Sequence, residues 1–473
     1  MTTRNTITTR APAKKPLAAA LFIALLAPGL ALAQTAKGQT DKERELEARV
    51  AQLEAQVQAL LGTQQQQQTQ IADTRTQLDE VKTTQPAALA AGQQPIQRTA
   101  INTAGNPNST FSYGGFIKFD AMATDTSDGR IADGSSGRLF YVPSTIPVAG
   151  AGADGGDPYS DVHAQFSRFW ISADHVTDNG DKLKGYVEMD FFGGGSNALS
   201  GNETSTNTYA VTLRQAYVQW NNWLAGQTWS NFQDTAALPE AVDFVGVTDG
   251  TTFVRQAQLR YTKGAWSFSA ENPQTTIGSV ATGARLANSG DNVLPDITAR
   301  WLTKGAWGHF TVAALLRQFK YLDETDTGAA VSVSGKFNMG KNDDIRYMAN
   351  YGSGIGRYMA FGLGSDTVVD ANGQLHALDG YGAFVAWRHA FSAKLRSNLM
   401  YSMAMFDNDR NLPGWSAGSW GVTERAQSIH ANLIYSPLPK LDVGAEIGFG
   451  KREVEDDRAG DLKRIQATVK YSF

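Results

Sequence analysis

The sequence predicts an all-β fold, a 16-stranded antiparallel transmembrane β-barrel preceded by an N-terminal α-helical coiled coil. Three observations carry this. From residue 109 onward, segments of about ten residues alternate apolar and polar side chains, the period-two signature of strands with one apolar face. Sixteen such segments follow one another, joined by connections that alternate short and long, as an even-numbered closed barrel requires. The chain ends on RIQATVKYSF, where Ile465, Ala467, Val469, Tyr471 and Phe473 form one row and Arg464, Gln466, Thr468, Lys470 and Ser472 the other.

Residues 1–33 read as a signal peptide. Arg4, Arg10, Lys14 and Lys15 precede the apolar stretch PLAAALFIALLAPGLALA, which ends on Ala31-Leu32-Ala33, an A-x-A cleavage site. The alternative, a membrane anchor, is opposed by the shortness of the run and its breaks at Pro28 and Gly29.

Residues 43–82 read as a coiled coil reaching into the periplasm. Leu46, Val50, Leu53, Val57 and Leu60 are spaced alternately four and three apart, and the phase continues through Gln64, Gln67, Ile71, Thr74, Leu78 and Val81. The seam predicts oligomerisation, and Val at a with Leu at d leans toward two strands. Residues 83–108, rich in Ala, Gln, Pro and Asn, read as a flexible linker.

The barrel is expected over 109–473, its segments starting near 110, 162, 183, 207, 223, 253, 265, 294, 307, 329, 343, 380, 394, 425, 440 and 461. The long connections are expected at 125–161, 194–206, 233–252, 272–293, 323–328, 353–379, 407–424 and 452–460. In lipid a sheet edge cannot stay open, so the last strand must pair with the first. The terminal Tyr471 and Phe473 then fall in the interfacial aromatic girdle, and a terminal Phe resembles the signal read by the outer-membrane assembly machinery.

Composition narrows the function. Beyond the N-terminus no apolar run is long enough for a membrane helix, so a helical bundle is excluded. There are no cysteines, hence no disulfides or thiolate metal sites. A net charge of -4 offers no basic excess for nucleic acid. The six histidines are scattered, and neither GxSxG nor HExxH occurs, so no enzyme activity and no cofactor are expected.

The inner rows carry charge that a dry core would not tolerate, which predicts an aqueous lumen. Lys118, Arg168, Arg214 and Arg317 fall near mid-depth when counted from the turns, and Arg255 and Arg260 lie on the segment after the third long connection. That connection, 233–253, is apolar enough to pack, with Leu238, Val242, Phe244 and Val245, yet carries Glu240 and Asp243. Folded inward, it would set these two acids against the wall arginines at a narrow point, and rings of fixed charge select ions.

The stretches RQAYVQWNNWLAGQTWSNF (214–232), LPEAVDF (238–244), RQAQLRYT (255–262) and MDFFGG (189–194) resemble the DcaP-like outer-membrane porins, as does the order of signal peptide, coiled coil, linker and barrel. The resemblance implies a Gram-negative outer-membrane location, a homotrimer of sixteen-stranded barrels, and passive diffusion of small anionic, dicarboxylate-like solutes. A trimer would make the coiled coil three-stranded, against the lean of its Val/Leu pattern. The alternative is a general diffusion porin with a mainly structural role, its coiled coil reaching toward peptidoglycan.

Overall fold

A computed structural model describes residues 101–102, 108–149, 155–192, 207, 209–416 and 419–473. The expected signal peptide, the expected coiled coil and most of the expected linker lie outside the described residues.

Sixteen strands form the barrel: β1 (Ser109–Thr126), β2 (in two stretches, Tyr159–His163 and Arg168–Val176), β3 (Lys182–Asp190), β4 (Thr212–Trp220), β5 (Trp223–Trp229), β6 (Arg255–Lys263), β7 (Trp266–Glu271), β8 (Asp296–Gly305), β9 (Gly308–Tyr321), β10 (Glu324–Met339), β11 (Asp343–Ser353), β12 (Asp379–Ala390), β13 (Leu395–Asp407), β14 (Thr423–Leu438), β15 (Leu441–Val454) and β16 (Ala459–Ser472). Each pairs antiparallel with the next, from β1 with β2 around to β15 with β16. The sheet closes through β16 on β1, from Phe116↔Ser472 to Thr126↔Leu462, and Phe473 N–H donates to the Gly115 carbonyl at 3.1 Å. Closure leaves no strand edge, the condition for spanning lipid.

The barrel is inverted relative to a soluble protein. Its exposed outer face is apolar, with Ile465, Leu316, Val218, Ile171 and Trp266 among its members. Its inner face holds the buried charges, including Asp120, Asp190, Arg214, Asp296 and Arg317. An apolar side chain loses nothing against acyl chains, while a charged one must find partners or water inside.

Strand starts agree with the sequence reading to within five residues, but two connections differ. The expected loops at 323–328 and 452–460 are hairpin turns, 322–323 and 455–458, entered or left through Leu322 and Asp457 in the left-handed region (φ 55° and 65°). The flanking strands β9, β10, β15 and β16 run 14 to 16 residues. Where such strands project past the apolar belt both faces meet water, so the alternation that marks a strand fades and its end reads as loop.

The connections after β7 and β11 build a second, four-stranded sheet from Thr275–Ser279, Arg285–Ser289, Thr367–Val369 and Leu375–Ala377. Its central pair, Ile277–Ser279 with Thr367–Val369, is parallel, so it ties the two connections together.

Candidate functional site

Residues 230–254, between β5 and β6, lie against the inner wall. Val242 N–H donates to Glu446 Oε2 at 2.8 Å, and the Val242 carbonyl accepts from Lys118 Nζ at 3.0 Å. Gly250 N–H donates to Ser402 Oγ at 2.7 Å, and its carbonyl accepts from Asn350 Nδ2 at 2.8 Å. Asp234 caps the short helical turn Thr235–Ala237 and accepts from Thr311 and His309 on β9. The connection thereby reaches residues on β1, β9, β11, β13 and β15. Its apolar side chains, which carry no helical or strand period, pack on one another and on the wall: Val245 with Phe140 and Phe166, Val247 with Met348 and Met400.

Beside this connection three arginines, on β2, β4 and β6, interleave with aromatic rings. The Arg168 guanidinium lies 5.2 Å from the Phe116 ring and 6.0 Å from Phe244. Arg214 stands 5.6 Å from Phe244 and 5.9 Å from Trp229, and Arg255 stands 5.0 Å from the same Trp229. All three lie within cation–π reach. The neighbouring carboxylates are Glu188 and Asp190 on β3. Arg214 donates to both, at 2.8 Å and 2.5 Å, and is almost fully buried. Arg168 sits 3.8 Å from each and remains partly exposed. Arg255 has no carboxylate within salt-bridge distance among the described residues. Among the described residues three guanidinium charges therefore meet two carboxylates, an excess of one, and Arg168 Nε and Arg255 Nη1 are buried N–H donors without an acceptor.

The remaining predicted residues are distributed differently from expectation. Lys118 is buried, its ammonium held by Asp120 and the Val242 carbonyl. Arg317 is not beside the third connection. It clamps the other two connections, donating to Asp296 (3.2 Å), Asp366 (2.7 Å), the Gln274 carbonyl (2.6 Å) and the Gly354 carbonyl. Arg260 donates to Gln258 and the Trp229 carbonyl, nearer the short-turn rim. Glu240 faces Arg396 at 2.6 Å and Arg388 at 3.4 Å, on β13 and β12, not the mid-depth arginines. Burial alone would raise its pKa, but the hydrogen bonds and charge of Arg396 and Arg388 hold it below the ordinary glutamate value. Asp243 turns inward, accepting from the Tyr141, Val245 and Gly246 amides. An aspartate followed by such a turn satisfies its own backbone first, so it has little to offer the lumen.

The sequence reading missed the rings that space the arginines. Phe244 stacks on Phe166 at 4.2 Å, and Phe253 on Phe361 at 4.7 Å, joining β2 to the third connection and the third connection to the one after β11. Trp229, at the end of the WLAGQTW strand, stands in the same alternate row as Trp223 and Ala225, so the period assigns it outward and carries no sign of its place beside Arg214 and Arg255.

A family model described as DcaP outer membrane protein matches residues 30–473. The crystal structure of the outer membrane channel DcaP of Acinetobacter baumannii is similar at 25% identity and a TM-score of 0.64, covering 79% of this chain and 100% of that one. OmpT, an outer membrane protein of Vibrio cholerae, aligns at 13% identity and a TM-score of 0.46, over 77% of this chain and 98% of its own. An anion-selective porin from Comamonas acidovorans aligns at 9% identity and 0.46, over 77% and 100%. No curated protein matches.

Proposed function

The chain belongs to the DcaP outer membrane protein family, and from that premise we propose that it is a porin admitting small anionic solutes, dicarboxylates among them, by passive diffusion. The observation that supports the anionic preference is the excess of guanidinium over carboxylate along Phe116, Arg168, Phe244, Arg214, Trp229 and Arg255. A dicarboxylate passing this wall exchanges water for guanidinium N–H groups such as those of the partly exposed Arg168. Binding stays weak because each guanidinium is shared with a ring or a carboxylate, and a conducting site must release what it binds.

The proposal extends to the assembly: a homotrimer in the outer membrane, delivered by the signal peptide and the terminal Phe473, with residues 43–82 as a three-stranded periplasmic coiled coil.

A second reading, general diffusion through a structurally braced pore, draws on the pairing of Lys118, Arg214 and Arg317. Reversal potentials in a planar bilayer under a potassium chloride gradient separate the two. Anion preference, with current block by succinate, supports the selective channel; a reversal potential near zero without block supports general diffusion.

A further inference from the structure

At the short-turn rim, on the far side of the third connection from its contact with Phe166, a hollow of ≈ 800 Å³ opens among Asp234, Arg300, Lys304, His309 and Lys336. Its charges stand in an unusual register. Lys304 on β8 pairs directly with His309 on β9, His309 with Lys336 on β10, and Lys336 with Arg346 on β11. All four side chains share the inner face, so four basic groups form one cross-strand row, at Cβ spacings of roughly 4.5–5.5 Å. Like charges directly opposed destabilise a sheet.

The row is only half neutralised. Arg346 pairs with Asp344 at 2.9 Å and donates to the Leu238 carbonyl. His309 donates to Asp234 at 2.8 Å. That carboxylate is already spent, accepting also from Thr311 (2.9 Å), Ser334 (3.1 Å) and the Ala236 amide (3.0 Å). Among the described residues no carboxylate lies within salt-bridge distance of Lys304, Lys336 or Arg300, whose guanidinium reaches only the Gln233 carbonyl at 3.3 Å. Three uncompensated cations therefore border one hollow, roofed by Thr235 and Ala236.

We infer that this row is a second anion-binding station, separate from the mid-depth arginines and taking a small polycarboxylate. Three cations set along two strands suit a solute with two or three carboxylates better than a monovalent ion. Because the side chains face the lumen and not lipid, the ligand is a diffusing solute. The inference rests on the anion-channel reading above, and it makes conduction asymmetric: an anion leaving the mid-depth arginines toward the short-turn rim is received by a second set of charges.

Citrate block of single channels inserted in one orientation tests it. Citrate added on the short-turn side is expected to block the native channel. Block from that side should weaken about tenfold in Lys304→Gln/Lys336→Gln, on the scale of electrostatic steering effects, while block from the opposite side holds. The charge-retaining Lys304→Arg/Lys336→Arg is expected to keep native block. If the neutral double variant does not assemble, Lys304→Gln alone, on an exposed side chain, is expected to weaken short-side block about threefold. Unchanged block from the short-turn side in an anion-preferring channel overturns the station alone. A native channel with neither anion preference nor citrate block overturns the anion reading and the station together.

Discussion

Arg214 and Glu188 are joined across β4 and β3, Nε donating to Oε1 at 2.8 Å, while the same guanidinium reaches Asp190 at 2.5 Å. Neither side chain is appreciably exposed. Coulomb attraction in such surroundings is offset by the desolvation of both ions, so the pair is a poor source of net stability but a costly one to break. Most of the Arg214 charge is consumed in the wall, whereas Arg168 stays partly exposed and Arg255 has no carboxylate within salt-bridge distance among the described residues.

Arg214→Gln therefore acts on assembly more than on selectivity. It leaves two buried carboxylates with only the more distant Arg168, 3.8 Å from each, and removing one partner from a buried ion pair costs about 3–5 kcal/mol. The heat-modifiable band in mild detergent should convert at lower temperature than in the native protein. Adding Glu188→Gln should restore part of the loss. Native thermal behaviour of Arg214→Gln would show that the pair is solvated.

The Arg317 clamp makes a parallel prediction about the outer connections. Arg317→Met leaves Asp296 and Asp366 without their shared cation, although Arg357 still reaches Asp296 at 3.0 Å. The sheet that joins 275–289 to 367–377 should loosen first, since Asp366, which accepts from the Thr276 amide of that sheet, loses its Arg317 partner. Limited proteolysis should cut within 272–295 or 354–378 earlier than in the native barrel, with the barrel itself intact. An unchanged cleavage pattern would argue that the sheet's own ladder suffices.

Much of this fold was legible in the sequence because lipid enforces alternation: Phe119, Ile447 and Ile465 had to face out, and Asp120, Glu446 and Arg464 had to face in. Legibility failed in two places for one reason each. Strands that leave the apolar belt lose the lipid that writes the pattern, so Glu324–Gly328 of β10 and Ala459–Gly460 of β16 read as loop. Side chains on the connections answer to tertiary contacts without a period, so Phe244 could be seen as apolar but not as the ring between Arg168 and Arg214, and Asp243 could be seen as acidic but not as its own turn's acceptor. Depth counting placed Arg317 near the middle, but it could not show that Gln274, Gly354 and Asp366 descend to meet it.

Asp249 gives a pH dependence. Burial pushes its carboxyl up to about 6, and hydrogen bonds from Ser428 and Tyr141 only partly oppose this. A carboxyl whose folded pKa is raised stabilises the folded state when protonated. That contribution is complete below the unfolded value of about 4 and is lost as pH rises through about 6. The third connection should thus be held more firmly at pH 4 than at pH 7, relative to Asp249→Asn, which cannot titrate. The conversion temperature of the native protein, taken relative to that of the variant, should be higher at pH 4 than at pH 7; an offset that does not change with pH would mean that Asp249 does not titrate in this range.

Under the proposed function, selectivity should turn on Arg168 and Arg255. Arg168 stands 3.8 Å from Glu188 and Asp190, whose closer partner is Arg214, and Arg255 has a ring but, among the described residues, no carboxylate within salt-bridge distance. Neutralising both strands no new partner, so Arg168→Gln/Arg255→Gln should assemble with a stability change on the order of 1 kcal/mol, the range of exposed ion pairs. The local charge then changes from three cations against two anions to one against two. Its sign reverses, and the reversal potential in a potassium chloride gradient should move toward the cation side while succinate block weakens about tenfold, as expected when a focusing field is removed. The comparison with Arg317→Met sharpens the result. That residue also carries a lumen-facing charge, but Asp296 and Asp366 consume it, so its loss should leave the reversal potential in place. A double variant that assembles and keeps native selectivity would move the selective field away from this wall, toward the basic row at the short-turn rim. A shift in Arg317→Met equal to that of the double variant would show that lumen charge acts as a diffuse whole and not through the two arginines that remain partly free.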